Sequence, residues 1–190
     1  ILFGSPGTGK SHRIDHEILP NVLGINKQSH PQNVIKTVFH PEYSYGDFVG
    51  KLVPITKGGK IEYNFYEGHF LRALSQAYKN LIDASKRSID SKDGQQVDPD
   101  HVALVIDELN RGNSSAIFGT IFQLLDRNDN GWSSYSININ EIEFNKLLEL
   151  IGVKFNYTDK GNISGYKLAG HEEVSKLESL QKKIEVTHFD

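Results

Sequence analysis

The sequence predicts an α/β fold in which helices flank a parallel β-sheet. Strand patterns alternate with helical patterns along the chain, the strands at 1–3, 34–39 and 102–106 and the helices at 9–19, 68–88 and 114–125. The segment Val102–Ile106 is apolar without interruption, which is typical of a parallel strand buried on both faces. Ligands of such sheets bind at the carboxyl ends of the strands. We therefore expect the functional residues directly after the strands.

Two further regions are predicted outside this alternation. Strands at 52–55 and 61–65 flank Lys57–Lys60, whose two central glycines predict a β-hairpin insertion. The remainder indicates a small α/β segment, with a turn at 128–131, a strand at 135–139, a helix at 141–150, a polar turn at 156–165, a helix at 172–182 and a strand at 184–190. The predicted organisation is a core of residues 1–127, followed by residues 128–190 as an insertion or a continuation of the core.

Composition limits the classes of protein to which the chain can belong. Its 190 residues carry a formal net charge of −3 and include no cysteine. We therefore expect no general nucleic-acid-binding surface, no disulfide and no thiolate metal site. A chain without cysteine and without a long apolar run fits the cytoplasm. The chain also lacks methionine and starts inside a predicted strand, which predicts an excerpt from a longer protein.

A glycine-rich segment between the first strand and the first helix predicts a phosphate-binding loop. The motif G-x-x-x-x-G-K-[ST] is matched by eight consecutive residues, Gly4, Ser5, Pro6, Gly7, Thr8, Gly9, Lys10 and Ser11. Glycines let the backbone turn tightly, so that its N–H groups can bind phosphate oxygens. Lys10 would add a positive charge for the β- and γ-phosphates, and the Ser11 hydroxyl would bind Mg²⁺. A chance match is the alternative, but the strand–loop–helix context favours a nucleotide site, which we extend to His12.

Two carboxylates, Asp107 and Glu108, directly follow the apolar strand. In enzymes with a phosphate loop, an Asp at this place holds Mg²⁺, and a following Glu can activate the attacking water as a general base. Acidic residues at the start of a helix are the alternative explanation. Beside a phosphate loop, the magnesium–nucleotide site is favoured. Arg111 could stabilise charge on the γ-phosphate, in its own subunit or in a neighbour, but a surface ion pair or a helix cap explains it equally well. Asn110 could orient the water or Glu108, and its role is equally open.

Three segments together resemble a known family. They are the phosphate loop, the run FHPEYSYGDFVG at Phe39–Gly50 and the run VIDELNRGN at Val105–Asn113. These segments are similar to the AAA+ NTPase of McrB type, the nucleotide-hydrolysing subunit of a restriction system that cuts DNA containing 5-methylcytosine. The resemblance implies a P-loop AAA+ core that works as a ring, expected to be a hexamer, with Mg²⁺ and ATP or GTP bound between subunits. It also implies a McrC-like nuclease partner and contact with DNA through a domain outside this chain.

The same residues leave two other functions open. One is a MoxR-like AAA+ ATPase that remodels proteins, and the other is a regulatory module that binds a nucleotide with little hydrolysis. The presence of Glu108 argues against the regulatory module, because binding alone needs no general base. No residue decides between ATP and GTP.

An aromatic cluster in the second of these segments has two interpretations. Tyr43, Tyr45 and Phe48 could stack on bases of a nucleic acid, or they could pack against the sheet. We favour packing for Phe48 and leave the two tyrosines open.

Overall fold

The computed structural model describes residues 2–5, 7–91, 96–130, 133–160 and 163–167. The chain divides into two compact units, Ile1–Glu143 and Phe144–Asp190. Two sequence predictions, the helix at 172–182 and the strand at 184–190, lie outside the described residues, as do Ile1 and Pro6. None of the helices in the described ranges is both long and apolar enough to cross a membrane.

The first unit contains a parallel pair of strands, as the sequence predicts. Strand β1 (Val34–Val38) and strand β4 (Ala103–Asp107) pair in parallel, in a register that runs from Val34 opposite Ala103 to Val38 opposite Asp107. The pairing continues one residue further, because the Phe39 amide donates to the Asp107 carbonyl oxygen over 2.9 Å. The carboxyl ends of both strands therefore meet at one edge.

Helices cover both faces of this pair. Helix α1 (Lys10–Arg13) continues directly as a π-helix over Ile14–Val22, and together we call these the first helix. The first helix packs through Leu19 on the face that carries Ala103 and Val105. The opposite face carries Leu104 and Ile106 and packs on a core formed by the later helices. These later helices are α2 (Tyr45–Phe48), α3 (His69–Asp90) and α4 (Ser114–Phe118).

The predicted hairpin is present and is longer than its sequence pattern suggests. Strands β2 (Gly50–Lys57) and β3 (Lys60–Glu67) pair antiparallel over their whole length. Gly58 and Gly59 form the two-residue turn with φ of 56° and 77°. Positive φ at both central residues is the requirement of a type I′ turn, which explains the two adjacent glycines.

Three predictions about secondary structure in the first unit are wrong. Leu2 and Phe3 form no strand, and Phe3 is 86% exposed rather than buried. The first helix does not end before Pro20 but continues to Val22. Pro20, which has no N–H to donate, lies inside this π-helix, whose last i→i−5 hydrogen bond runs from the Leu23 amide to the Ile18 carbonyl over 3.0 Å. The helix predicted at 114–125 changes at Gly119, with φ of 51°, into a 3₁₀-helix over Gly119–Leu125.

Two predictions in the later part of the chain also fail. Residues 135–139 alternate in hydrophobicity but form no strand, and within the described ranges no strand pairs with them. Alternation alone does not make a strand without a partner. The polar segment at 156–165 is not simply a turn, because it contributes to β5 (Lys154–Tyr157) and β6 (Ile163–Lys167), which pair antiparallel.

The second unit has its own small core. Helix α5 (Glu141–Leu150), which the sequence predicts, precedes the β5–β6 hairpin. Leu148, Val153 and the fully buried Tyr166 form the centre of this core. A hairpin alone is marginally stable, so packing against the helix is what holds it.

A buried amide network joins the elements at the amino-terminal edge of the β1–β4 pair. The Asn80 amide on α3 donates to Asn33 Oδ1 over 3.1 Å and to the Asp100 carbonyl over 2.8 Å. Gln76 Nε2 in turn donates to Asn80 Oδ1 over 2.9 Å. Asn80 therefore holds both segments that lead into the two strands.

Replacing this amide is expected to destabilise the fold. Asn80→Leu leaves the Asn33 and Asp100 oxygens without their donor, at a cost of about 1–3 kcal/mol in the free energy of unfolding. Urea unfolding of the variant measures this cost. Asp83→Ala, at an exposed position on the same helix, is the control. Equal stability of the two variants would contradict the role of the network.

Candidate functional site

The glycine-rich loop has the backbone conformation that its sequence predicts. Gly4, Gly7 and Gly9 have φ of 149°, 80° and 75°, which residues with side chains rarely adopt. The Thr8 hydroxyl donates to the Ser5 carbonyl oxygen over 2.8 Å and closes the loop. The glycines are thus required by the course of the chain itself.

Lys10 begins the first helix, and its side chain reaches back to the start of the loop. Its ammonium donates to the carbonyl oxygens of Gly4 and Ser5 over 2.8 Å each. Ser11 and His12 follow on the first helix and are exposed, and the His12 ring lies 4.2 Å from that of His16. A lysine in this place keeps a positive charge where the loop would receive phosphate oxygens.

An open pocket of about 440 Å³ lies beside the loop. Among the predicted nucleotide-binding residues, it is lined by Gly4, Thr8, Gly9, Lys10 and His12. Its other lining residues are Leu2, Phe3, Arg13 and Glu17. Ser11 does not line the pocket, and neither do Asp107, Glu108, Asn110 and Arg111. The pocket therefore includes the predicted phosphate-binding residues but not the predicted catalytic residues or magnesium ligands.

The carboxylates after β4 lie in a tight turn at the end of the strand. Asp107 and Glu108 are both exposed. Asp107 Oδ1 accepts a hydrogen bond from the Glu108 amide over 2.9 Å, and its carbonyl accepts from Phe39. Because one carboxylate oxygen is tied to the backbone, the orientation of the Asp107 side chain is restricted.

Glu108 has an unusual backbone conformation. Its φ of 53° and ψ of 39° are left-handed, and it is the only non-glycine residue with positive φ in the described ranges. For a residue with a side chain this conformation costs about 1–2 kcal/mol. The Arg111 amide donates to the Glu108 carbonyl over 2.9 Å and closes the turn. Backbone strain of this kind clusters at functional sites.

The acidic turn and the first helix share a face of the sheet. Side chains of successive strand residues point to opposite faces. Ala103 and Val105 pack with the first helix, so Asp107, two residues further, points to the same face. The predicted magnesium ligand is therefore on the side of the sheet that the glycine-rich loop leads into.

The two motifs also share an edge. At the end of the first helix, Leu23 accepts a hydrogen bond from His101 Nδ1 over 2.9 Å, close to the start of β4. Nearer the beginning of this helix, Asp15 pairs with Lys36 in the middle of β1, with Nζ 2.6 Å from Oδ1. The helix thus runs antiparallel to the strands, and its Lys10 end points towards their carboxyl ends. The Lys36 ammonium also lowers the pKa of the Asp15 carboxyl.

Asn110 and Arg111 lie on a short 3₁₀ turn, Leu109–Arg111, directly after Glu108. Both are exposed, and Arg111 makes no ion pair within the described part of the chain. Capping falls instead to Asn113, whose side chain accepts from the Ala116 amide over 3.2 Å at the start of α4. Asn113 is therefore the N-cap of α4, and the helix-cap explanation of Arg111 does not apply to this helix.

The candidate magnesium ligands fit a nucleotide-bound ion better than a protein-held one. In the described ranges no group of three or more His, Cys, Asp or Glu residues could hold a metal. Asp107 and the Ser11 hydroxyl are hard oxygen donors of the kind that Mg²⁺ prefers. Mg²⁺ commonly uses one or two protein ligands and takes its others from phosphates and water.

The aromatic cluster packs in the core beneath the acidic turn. Tyr43 and Phe48 are buried, and Tyr45 is half-buried against the same core. The Tyr43 ring stacks on Phe39 with 4.8 Å between ring centroids. Packing is therefore the better interpretation of both tyrosines. Phe39, fully buried, is the residue that sequence reasoning missed: it supports the turn through its amide hydrogen bond to Asp107.

A buried polar contact fixes Tyr43. Its hydroxyl accepts from Thr37 Oγ1 over 3.1 Å and lies 2.8 Å from His69 Nδ1. Burial raises the pKa of Tyr43 and lowers the pKa of His69, so both side chains are favoured in their neutral forms. These hydrogen bonds connect β1 to the start of α3. They also hold the Tyr43 ring in place, on which Phe39 stacks.

Comparison with known proteins places these motifs in a biological context. The chain is 34% identical over 159 residues to the Type II restriction enzyme BsuMI component YdiS of Bacillus subtilis (strain 168), a match that covers 72% of this chain and 40% of that protein. This chain is related to restriction-system proteins. It is also 28% identical over 146 residues to the Type IV methyl-directed restriction enzyme EcoKMcrB subunit of Escherichia coli (strain K12), which covers 74% of this chain and 26% of that subunit. No family model matches the chain.

The extent of these matches limits what they describe. The chain spans about two fifths of the length of the first relative and about a quarter of the second. The similarity therefore concerns one part of each larger protein. The motifs resemble the McrB type, and the two relatives are restriction-enzyme components, one of them an McrB subunit. Both lines of comparison therefore lead to restriction systems.

Proposed function

We propose that this chain is the nucleotide-hydrolysing part of an McrB-like restriction NTPase with an AAA+ core. The observation that carries the proposal is the common orientation of two motifs. The glycine-rich loop leads into a helix directed at the carboxyl ends of β1 and β4, and Asp107 ends β4 on the face which that helix covers. The similarity to the McrB subunit supports the same reaction class.

The residues of the loop bind the triphosphate in this proposal. The backbone of Gly4–Ser11 surrounds the phosphates, and Lys10 exchanges its two carbonyl contacts for oxygens of the β- and γ-phosphates. His12, which lines the pocket beside the loop, would lie next to the nucleoside. Because a phosphate oxygen carries a full negative charge and a carbonyl does not, the exchange is favourable for the ammonium.

The residues after β4 act on the reaction itself. A bound Mg²⁺, held by Ser11 and Asp107, would neutralise charge on the phosphates. Glu108 accepts a proton from the attacking water, and Asn110 orients that water. The exposed Arg111 stabilises charge on the γ-phosphate, in its own subunit or in a neighbour. An exposed arginine beside an exposed carboxylate suits a site completed between two subunits, as in the ring that the proposal includes.

In the whole protein, this part would drive a restriction system. The proposed partners are further copies of the chain in a hexameric ring, a McrC-like nuclease subunit, and DNA bound through another domain. The substrate is ATP or GTP. These assignments extend the names of the two relatives, both of which are restriction-enzyme components.

Lys10→Ala in the complete protein tests the proposed reaction. We expect Mg²⁺-dependent phosphate release from ATP or GTP to fall by about 100-fold or more, because the loop loses the only charge it directs at the phosphates. Phosphate release and binding of a fluorescent nucleotide are measured together. Lys60→Ala, at the exposed hairpin turn, is the control. Undiminished hydrolysis by Lys10→Ala would remove the loop from the reaction.

A further inference from the structure

The pocket beside the glycine-rich loop extends beyond the residues of the phosphate motif. Besides the loop, it is lined along the first helix by His12, Arg13 and Glu17. Arg13 Nε donates to Glu17 Oε2 over 3.1 Å, and both side chains are 61% exposed. No prediction from the sequence assigned a role to this ion pair.

The charges in the pocket give it two different ends. Lys10 and the loop amides form a positive end suited to phosphates. Glu17 lies seven positions further along the first helix, roughly two turns beyond Lys10. Arg13 offsets the charge of Glu17, so this end of the pocket carries no net charge and suits an uncharged part of a ligand.

The ion pair has hydrogen-bonding capacity left over. Only Nε of Arg13 and Oε2 of Glu17 are used in their mutual contact. The remaining guanidinium N–H groups are donors, and Oε1 is an acceptor with no hydrogen bond inside the described ranges. Ribose hydroxyls and the edges of nucleobases offer both donors and acceptors, so their chemistry matches this pair.

We propose that Arg13 and Glu17 form the nucleoside-binding end of the pocket and contact the ribose and base of the bound nucleotide. The triphosphate then lies at Lys10, and the nucleoside extends along the first helix past His12. This inference rests on the proposed function, since it assumes that the loop binds a nucleoside triphosphate. It adds two specificity-determining residues that lie outside the phosphate motif.

A ligand without a nucleoside separates the two ends of the pocket. Inorganic tripolyphosphate shares the three phosphates of ATP and GTP but has neither ribose nor base. We expect Glu17→Gln in the complete protein to weaken binding of ATP or GTP, relative to tripolyphosphate, by about three- to tenfold, as for the loss of one exposed charge-assisted hydrogen bond. Isothermal titration calorimetry with Mg²⁺ present, using non-hydrolysable analogues of ATP and GTP beside tripolyphosphate, gives all three affinities.

A charge-matched control separates the loss of a specific contact from the general effect of removing one negative charge near the phosphates. Asp15→Asn also deletes one negative charge from the first helix, but Asp15 faces Lys36 on the sheet and does not line the pocket. It should change the affinities for the nucleotide and for tripolyphosphate by the same factor. Arg13→Gln should lower the ratio of nucleotide to tripolyphosphate affinity in the same direction as Glu17→Gln.

The outcomes distinguish this inference from the function on which it rests. A wild-type protein that binds nucleotide and tripolyphosphate, with a ratio of affinities unchanged in Glu17→Gln and Arg13→Gln, would overturn the inference and leave the proposed function intact. A wild-type protein that binds neither ligand would overturn both. Because both side chains are exposed, the variants should unfold at the same urea concentration as the wild type.

Discussion

Glu108→Gln is expected to reduce nucleotide turnover by about 100-fold or more while nucleotide affinity stays within about twofold. Glutamine has the shape of glutamate but cannot accept the proton of the attacking water at neutral pH. The backbone at this position is left-handed for either residue, so the substitution changes the chemistry and not the conformational cost. Single-turnover phosphate release measures the first effect, and equilibrium binding of the same nucleotide measures the second.

Two companion variants sharpen this prediction. Glu42→Gln removes another exposed carboxylate of the same unit and should leave turnover unchanged. Glu108→Gly should reduce turnover by at least as much, but it relieves the left-handed strain and should raise the free energy of unfolding by about 1 kcal/mol. Full turnover in Glu108→Gln would exclude Glu108 as the general base, whatever its backbone conformation.

Gly68→Ala is expected to destabilise the protein by about 3 kcal/mol. The reason is steric, because φ of −82° and ψ of 179° at Gly68 are open to any residue. A Cβ at this position would overlap the Phe48 carbonyl oxygen and lie 2.6 Å from that of Asp47. Both are backbone atoms that cannot rotate away. The chain between α2 and α3 would therefore have to move, together with the base of the hairpin.

Gly46→Ala is the matched control for this effect. Its Cβ would lie 3.2 Å from Cβ of Lys51 and 3.6 Å from Cδ of the same exposed side chain. The 3.2 Å contact is too close by only a few tenths of an ångström and involves no backbone carbonyl, so we expect a change in stability several times smaller than for Gly68→Ala. Urea unfolding of both variants, followed by circular dichroism, provides the comparison. Similar urea midpoints for the two variants would show that the close approach of backbone atoms to Gly68 does not exclude a side chain there.

The sequence predicts the elements whose patterns are local. Val102–Ile106 is apolar throughout, which is typical of a buried parallel strand, and Ala103–Asp107 pairs with β1 as expected. The predicted full burial is wrong, because within β4 only Ala103 is buried and the other apolar residues are half-buried. The two adjacent glycines of the hairpin predict positive φ at both turn positions, and both have it. The phosphate motif fixes three further glycine conformations in the same way. Each of these features depends on a few neighbouring residues.

Features that depend on tertiary contacts are not predictable in this way. Leu2 and Phe3 are apolar, but a strand requires a neighbour, and they have none in the described ranges. The left-handed conformation of Glu108 has no signal in its residue type, since it is imposed by the turn between Asp107 and Arg111. The supporting role of Phe39 likewise follows from a hydrogen bond to a strand more than sixty positions away.

The hairpin turn at Gly58–Gly59 offers a way to observe this element separately from the rest of the molecule. Its flanking residue Lys60 is exposed, and the chain contains no cysteine. A single thiol introduced as Lys60→Cys would therefore be the only attachment point for a fluorophore or spin label. Because the turn geometry is set by the glycines and not by the lysine, the label would report the hairpin's surroundings without altering its course.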